Sequence, residues 1–159
     1  MQLFGVSLLL AVIFPFLAPA AAQSAPFSIS LSTQKPEIKA GSKVWVQIQM
    51  TNLSNHDVDC TRAPSNGSDR AYRYEVRDEA GNAVGPFARK HPEIGETSNI
   101  WPCILKAGEA TTKDDNLLSG LYDMSKPGKY VVRVSRFVSG TRKEDGVVKS
   151  NEITITVTP

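Results

Sequence analysis

Lys126-Pro127-Gly128-Lys129-Tyr130-Val131-Val132-Arg133-Val134-Ser135 is the stretch that decides the fold. Proline followed by glycine fits a type II turn, where glycine accepts a positive φ cheaply. Behind the turn, Tyr130, Val132 and Val134 alternate with Val131, Arg133 and Ser135. That period of two lets a strand bury one face and wet the other, as an antiparallel sheet requires.

The same period recurs on both sides. Phe27, Ile29 and Leu31 alternate with Ser28, Ser30 and Ser32; Val44, Val46, Ile48 and Met50 with Trp45, Gln47 and Gln49. Tyr72, Tyr74 and Val76 alternate with Arg73, Glu75 and Arg77, and Ile153, Ile155 and Val157 with Glu152, Thr154 and Thr156. Only Asn116 to Met124 fits a helical turn. Turn residues punctuate the runs: Lys39-Ala40-Gly41-Ser42 before the second, and Asp78-Glu79-Ala80-Gly81-Asn82 after the third, with Ala83-Val84 resuming as in a hairpin. The expectation is an all-β domain, an immunoglobulin-like antiparallel sandwich of about seven strands. Strand A falls near 27–32, B near 43–52, C near 70–78, E near 109–117, F near 129–138 and G near 150–157. Residues 83–89 suit a C′ strand. Strand D belongs somewhere in 97–104, where Pro102 argues for an edge.

Residues 1–22 stand apart. They carry no charged side chain; Leu8 to Phe14 is apolar, Pro15 and Pro19 break the run, and Ala20-Ala21-Ala22 offers the small residues a signal peptidase reads. The expectation is a secretory signal peptide cleaved after Ala22, although its start lacks Lys or Arg. The apolar core is short for the roughly 30 Å of a bilayer interior, and no cysteine follows it to carry a lipid. Residues 23–159 are then one domain, of a size that folds without a metal. With Lys and Arg numbering 18 against 16 Asp and Glu, the net charge is +2, too little to point to nucleic acid or a membrane surface. The expected location is secreted or periplasmic.

In an oxidising compartment the only two cysteines, Cys60 and Cys103, read first as a disulfide. Closing the long loop between them stabilises by roughly 4 kcal/mol in the chain-entropy model. Cys60 follows strand B and Cys103 precedes strand E. These are antiparallel neighbours in such a sandwich, so the bridge would pin the B–C loop at one end of the domain.

The stretch Leu105-Lys106-Ala107-Gly108-Glu109, then Leu121 to Val134 with its Pro-Gly-Lys-Tyr, resembles the second half of bacterial immunoglobulin-like modules, including the fibronectin-III-like group and the BsuPI-type proteinase-inhibitor domain. Lys39-Ala40-Gly41-Ser42 and Thr51-Asn52-Leu53-Ser54 resemble the first half. The resemblance implies a sandwich and no particular role, because such folds host many functions.

Chemical motifs are sparse. Asn55, Asp57 and Asp59 open with the spacing of a calcium loop, but Cys60 and Asn66 stand where an EF-hand needs Gly and Glu. A looser site with Asp57, Asp59 and Asp69 stays open at this level. His56, His91 and the two cysteines fall short of a zinc set once the disulfide forms. Asp114 and Asp115 are adjacent on a strand and so point to opposite faces, which bars them from acting as a paired acid and base. Asn52-Leu53-Ser54 and Asn66-Gly67-Ser68 match the N-glycosylation pattern. No catalytic residue, metal or cofactor is expected.

Two surfaces are candidates for a ligand. Arg73, Arg77, Lys129 and Arg133 share an outward face with Glu75 if C and F are neighbours, a mildly basic platform for an anionic glycan or protein. The long connection from Asp78 to Pro102 carries Phe87, Arg89, Lys90, His91 and Trp101, and aromatic residues with arginine are typical of binding hot spots. The expected function is a non-enzymatic binding or accessory module that recognises an extracytoplasmic protein or carbohydrate. The alternative is a proteinase inhibitor that presents an extended loop at 85–102, with Arg89 or Lys90 for a trypsin-like pocket.

Overall fold

The computed structural model describes residues 25–65, 68–69, 71–86, 100–138 and 146–159. Its strands are β1 (Phe27–Ser32), β2 (Glu37–Lys39), β3 (Trp45–Asn52), β4 (Val58–Asp59), β5 (Pro64–Ser65), β6 (Ser68–Asp69), β7 (Arg73–Asp78), β8 (Ile104–Leu105), β9 (Asp114–Leu117), β10 (Gly128–Phe137), β11 (Val147–Lys149) and β12 (Ile153–Thr158). A 3-10 turn at Leu118–Gly120 is the helical turn expected within 116–124. Among the described residues, no helix is long and apolar enough to cross a membrane.

Two sheets carry the fold. In the first, β3 lies between β1 and β9, all antiparallel. In the second, β10 pairs β7 on one edge and both β12 and β11 on the other, with β2 running parallel to β12 outside. These are strands A, B and E against C, F, G and a displaced piece of A, the immunoglobulin-like arrangement. The chain crosses from one sheet to the other between β1 and β2.

The alternation read from the sequence is the inside–outside pattern. Phe27, Ile29 and Leu31 meet Val46, Ile48, Met50, Val76, Val132, Val134, Ile155 and Val157 in one buried core. Burying each such side chain favours the fold by about 1.5–3 kcal/mol, before the conformational entropy it opposes. Tyr130 is buried, and its hydroxyl donates to the carbonyl of Lys126 at 2.9 Å. That is the tyrosine corner of immunoglobulin-like domains, which ties the start of strand F to the turn before it. Antibody domains place a core cysteine two residues later; here that position is Val132, fully buried. Gly128 does not close a type II turn. At φ +149° it begins β10 itself, paired with Val157.

Strand D departs from the expectation. Ile104–Leu105 pairs with Val58–Asp59, and Trp101 exchanges backbone hydrogen bonds with Arg62, so residues 101–105 run antiparallel to 58–62. This ribbon prolongs the β3–β9 ladder beyond an interruption and adds no edge to β9. Asn52 makes the interruption viable. It is only 1% exposed; its amide donates to the carbonyls of His56 and Leu105 and accepts from Ser54. Those bonds satisfy backbone groups that have left the ladder, which buried chain demands. Pro102 lies between ladder bonds, where its missing N–H costs nothing. Of the C′ span 83–89, Ala83 bridges Arg77, and residues 87–89 lie outside the described residues.

Cys60 and Cys103 face each other across this ribbon, bonded, with Cα atoms 4.8 Å apart. Cys60 is buried in the core, so the bridge fastens the B–C connection to the approach to strand E, as the strand order requires. Arg136, on the inward phase of β10, closes the same end. Its guanidinium donates to the carbonyl of Thr61 at 2.9 Å and lies over the ring of Tyr72 at 5.5 Å.

Candidate functional site

The pairing of β7 with β10 sets Arg73 opposite Ser135, Glu75 opposite Arg133 and Arg77 opposite Val131. All six point away from the core, because their neighbours Val76, Val132 and Val134 point into it. Lys149 lies opposite Ser135 on β11, and Lys129 is one further pleat along β10. One outward face thus gathers Arg73, Arg77, Lys129, Arg133 and Lys149 against Glu75 and Glu152. The arginines named from the sequence are brought together, as the C–F neighbourhood implied.

The face is partly self-neutralised. Arg77 binds Glu75, and Arg133 binds Glu152. The Arg77 hydrogen bond, joined by the charges of Arg77, Arg133 and Lys149 and opposed by slight burial, holds the Glu75 carboxyl below its ordinary range. Arg73 lies over the exposed ring of Phe137, 5.1 Å from its centroid. Cations outnumber carboxylates on the face, so its field is positive, and salt will screen it.

Trp101 belongs to another surface. It lies on the ribbon that prolongs the first sheet, 54% exposed, with the Arg62 guanidinium 5.4 Å from its ring centroid. Arg62 also binds Asp114 at 2.8 Å, so the stack is braced from below. Ile100 and Ile104, on the alternate phase of the same ribbon, are exposed as well. Phe87, Arg89, Lys90, His91 and most of the loop 85–102 lie outside the described residues.

The acidic loop after β3 is engaged otherwise. Asp57 binds Lys106 at 2.6 Å, and Asp59 accepts from the backbone N–H of Thr61 at 2.7 Å. Among the described residues, no group of three or more His, Cys, Asp or Glu side chains is placed to hold a metal ion. Asp114 turns to Arg62 and Asp115 to Gln47, opposite faces as expected. Asn52 has its side-chain nitrogen committed to two carbonyls, which bars glycosylation there in the folded domain.

Two features escaped the sequence reading. Arg136 occupies the inward phase of β10, after Tyr130, Val132 and Val134; a lone charge on an apolar phase was the available signal. Trp45 occupies the outward phase of β3, ahead of Gln47 and Gln49. It is 44% exposed and lines an open cleft of about 730 Å³. The signal there was a large aromatic on a polar phase.

No family model matches the chain, and no curated protein does. Among solved structures, the CARDB domain of a Pyrococcus furiosus protein, crystallised in complex with di-metal ions, is similar over 92% of this chain and 100% of that chain, with 10% identity and a TM-score of 0.42. Likeness at that level carries nothing further, and the immunoglobulin-like arrangement rests on the strand order and the tyrosine corner.

Proposed function

We propose that this chain is an exported, non-enzymatic binding module that meets an anionic protein or glycan outside the cytoplasm with the outward face of β7, β10 and β11. The observation that carries the reading is the surplus of Arg and Lys on one face whose backbone is fixed by strand pairing, with Arg73 held against Phe137. Fixed side chains lose little entropy on binding, and a field of one sign speeds encounter with an opposite partner. The signal-like residues 1–22 and the Cys60–Cys103 disulfide support an oxidising compartment. Intact-mass analysis of exported material tests the first half; the reading expects a chain that begins at Gln23, and a membrane-bound product that retains Met1 contradicts it.

The binding half is tested on immobilised heparin as the polyanionic probe. Arg73→Ser, Arg77→Ser and Arg133→Ser together should lower the salt concentration at which the chain elutes and flatten its salt dependence. Unchanged elution removes this face from the reading.

A further inference from the structure

We propose that the cleft around Trp45 is a second binding site, for a neutral glycan chain, chemically distinct from the cationic face. It exists because of the crossover between the sheets. Trp45 begins β3 in the first sheet, whereas Glu37 and Lys39 lie on β2 in the second. The segment that joins β1 to β2 adds Lys35 to the lining. Ile38 and Val44, both buried, form the apolar floor. A volume near 730 Å³ suits a small ligand or a few sugar units.

The chemistry of the walls selects the occupant. A pyranose ring presents C–H groups on one face, and their partial positive charge suits the negative face of an indole. Its hydroxyls need donors and acceptors side by side. Here Lys39, Lys43 and the Gln47 amide donate, and Glu37 and Asp115 accept. Asp115 already holds Gln47 by a 3.0 Å hydrogen bond across the ladder. Lys35, Lys39 and Lys43 make no ion pair among the described residues. Carboxylates set among these lysines leave no strong field of one sign, so an uncharged polyhydroxyl chain suits the cleft better than a polyanion.

The backbone that carries the indole is held on both sides. Trp45 pairs with Leu117, and its carbonyl accepts from the Thr33 hydroxyl at 2.9 Å. Beyond the cleft, the outward face of β1 and β3 continues as Ser28, Ser30, Ser32, Gln49 and Thr51, an uncharged hydroxyl and amide surface on which a longer chain can lie.

Calorimetry on the exported chain with neutral hexasaccharides of β-linked glucose, xylose, mannose and N-acetylglucosamine tests this. At least one should bind saturably, and Trp45→Ala should weaken it tenfold or more. The paired change Gln47→Ala with Asp115→Ala should weaken it several-fold, and this decides the matter if Trp45→Ala does not fold. The Arg73→Ser, Arg77→Ser, Arg133→Ser variant should bind as the parent does, which separates this site from the cationic face. Failure of every neutral hexasaccharide to saturate at millimolar concentration overturns the proposal. So does undiminished binding by the cleft variants, or tighter binding of an acidic galacturonate hexamer than of any neutral one.

Discussion

At the end of the sandwich that holds Trp45, the chain reverses through tight turns whose bonds are local in sequence; at the other end, the connection after β3 meets the approach to β9, and the two are fastened by side chains far apart in sequence. The first end has the Gly41 turn (φ +78°), the Asp78–Asn82 hairpin and the Tyr130–Lys126 bond. The second has the Cys60–Cys103 bridge, the Asn52 amide, the Arg62–Asp114 pair and the Arg136 guanidinium. The contrast teaches that regular strands need little more than good turns, whereas excursions from the ladder must have their backbone groups satisfied by particular side chains.

Substitutions at the two ends should therefore differ in size. The largest loss is expected from Cys60→Ala with Cys103→Ala, roughly 2–4 kcal/mol in urea unfolding with the far-UV spectrum retained. A variant as stable as the parent would break the contrast. Asn52→Ala comes next, at roughly 1–3 kcal/mol, because it strands the buried carbonyl of Leu105 and its companions. Tyr130→Phe, which removes one bond at the turn end, should cost only about 1 kcal/mol. If Tyr130→Phe proved the costlier of the two, the turn end would be the one that depends on a single side chain.

Acid should act most gently. Asp78 is held below its ordinary range chiefly by the Asn82 side chain and nearby backbone N–H groups, and Asp123 chiefly by the Ser125 hydroxyl and backbone. Groups with lowered folded-state values stabilise fully above the ordinary carboxylate range and lose that contribution as pH falls through the lowered value. The melting temperature should thus fall only below about pH 4, where ordinary carboxylates begin to protonate. Amide exchange should show the 78–82 turn loosening before the disulfide ribbon. Asp78→Asn should flatten the turn's part of that response.

The legible parts of the sequence divide along the same line. Strands β1, β3, β10 and β12 followed from alternation, and the hairpin after Asp78 from its turn residues, because both signals sit within a few neighbouring positions. The disulfide was legible because the chain has two cysteines and the strand order puts them at the same end of the sandwich. The path of residues 100–105 was not. Pro102 and a short apolar run fit an edge strand of either partner, and the choice depends on Asn52, some fifty positions earlier, which reads only as an ordinary polar residue. The arginine face was legible from period and neighbour order, but its ion pair with Glu152 depends on the register of β12 against β10. Trp45 was visible as a departure from pattern, yet its cleft needs the crossover of β2, which no local signal announces.

The proposed binding surface can be mapped residue by residue. In a ¹H–¹⁵N titration of residues 23–159 with a heparin oligosaccharide, the expected shifts concentrate at Arg73, Arg77, Arg133 and Lys149 and fade as salt is raised, with Ser30 and Gln49 on the opposite face unmoved. Shifts concentrated instead on the Arg62–Trp101 ribbon, or no shifts at low salt, would contradict it.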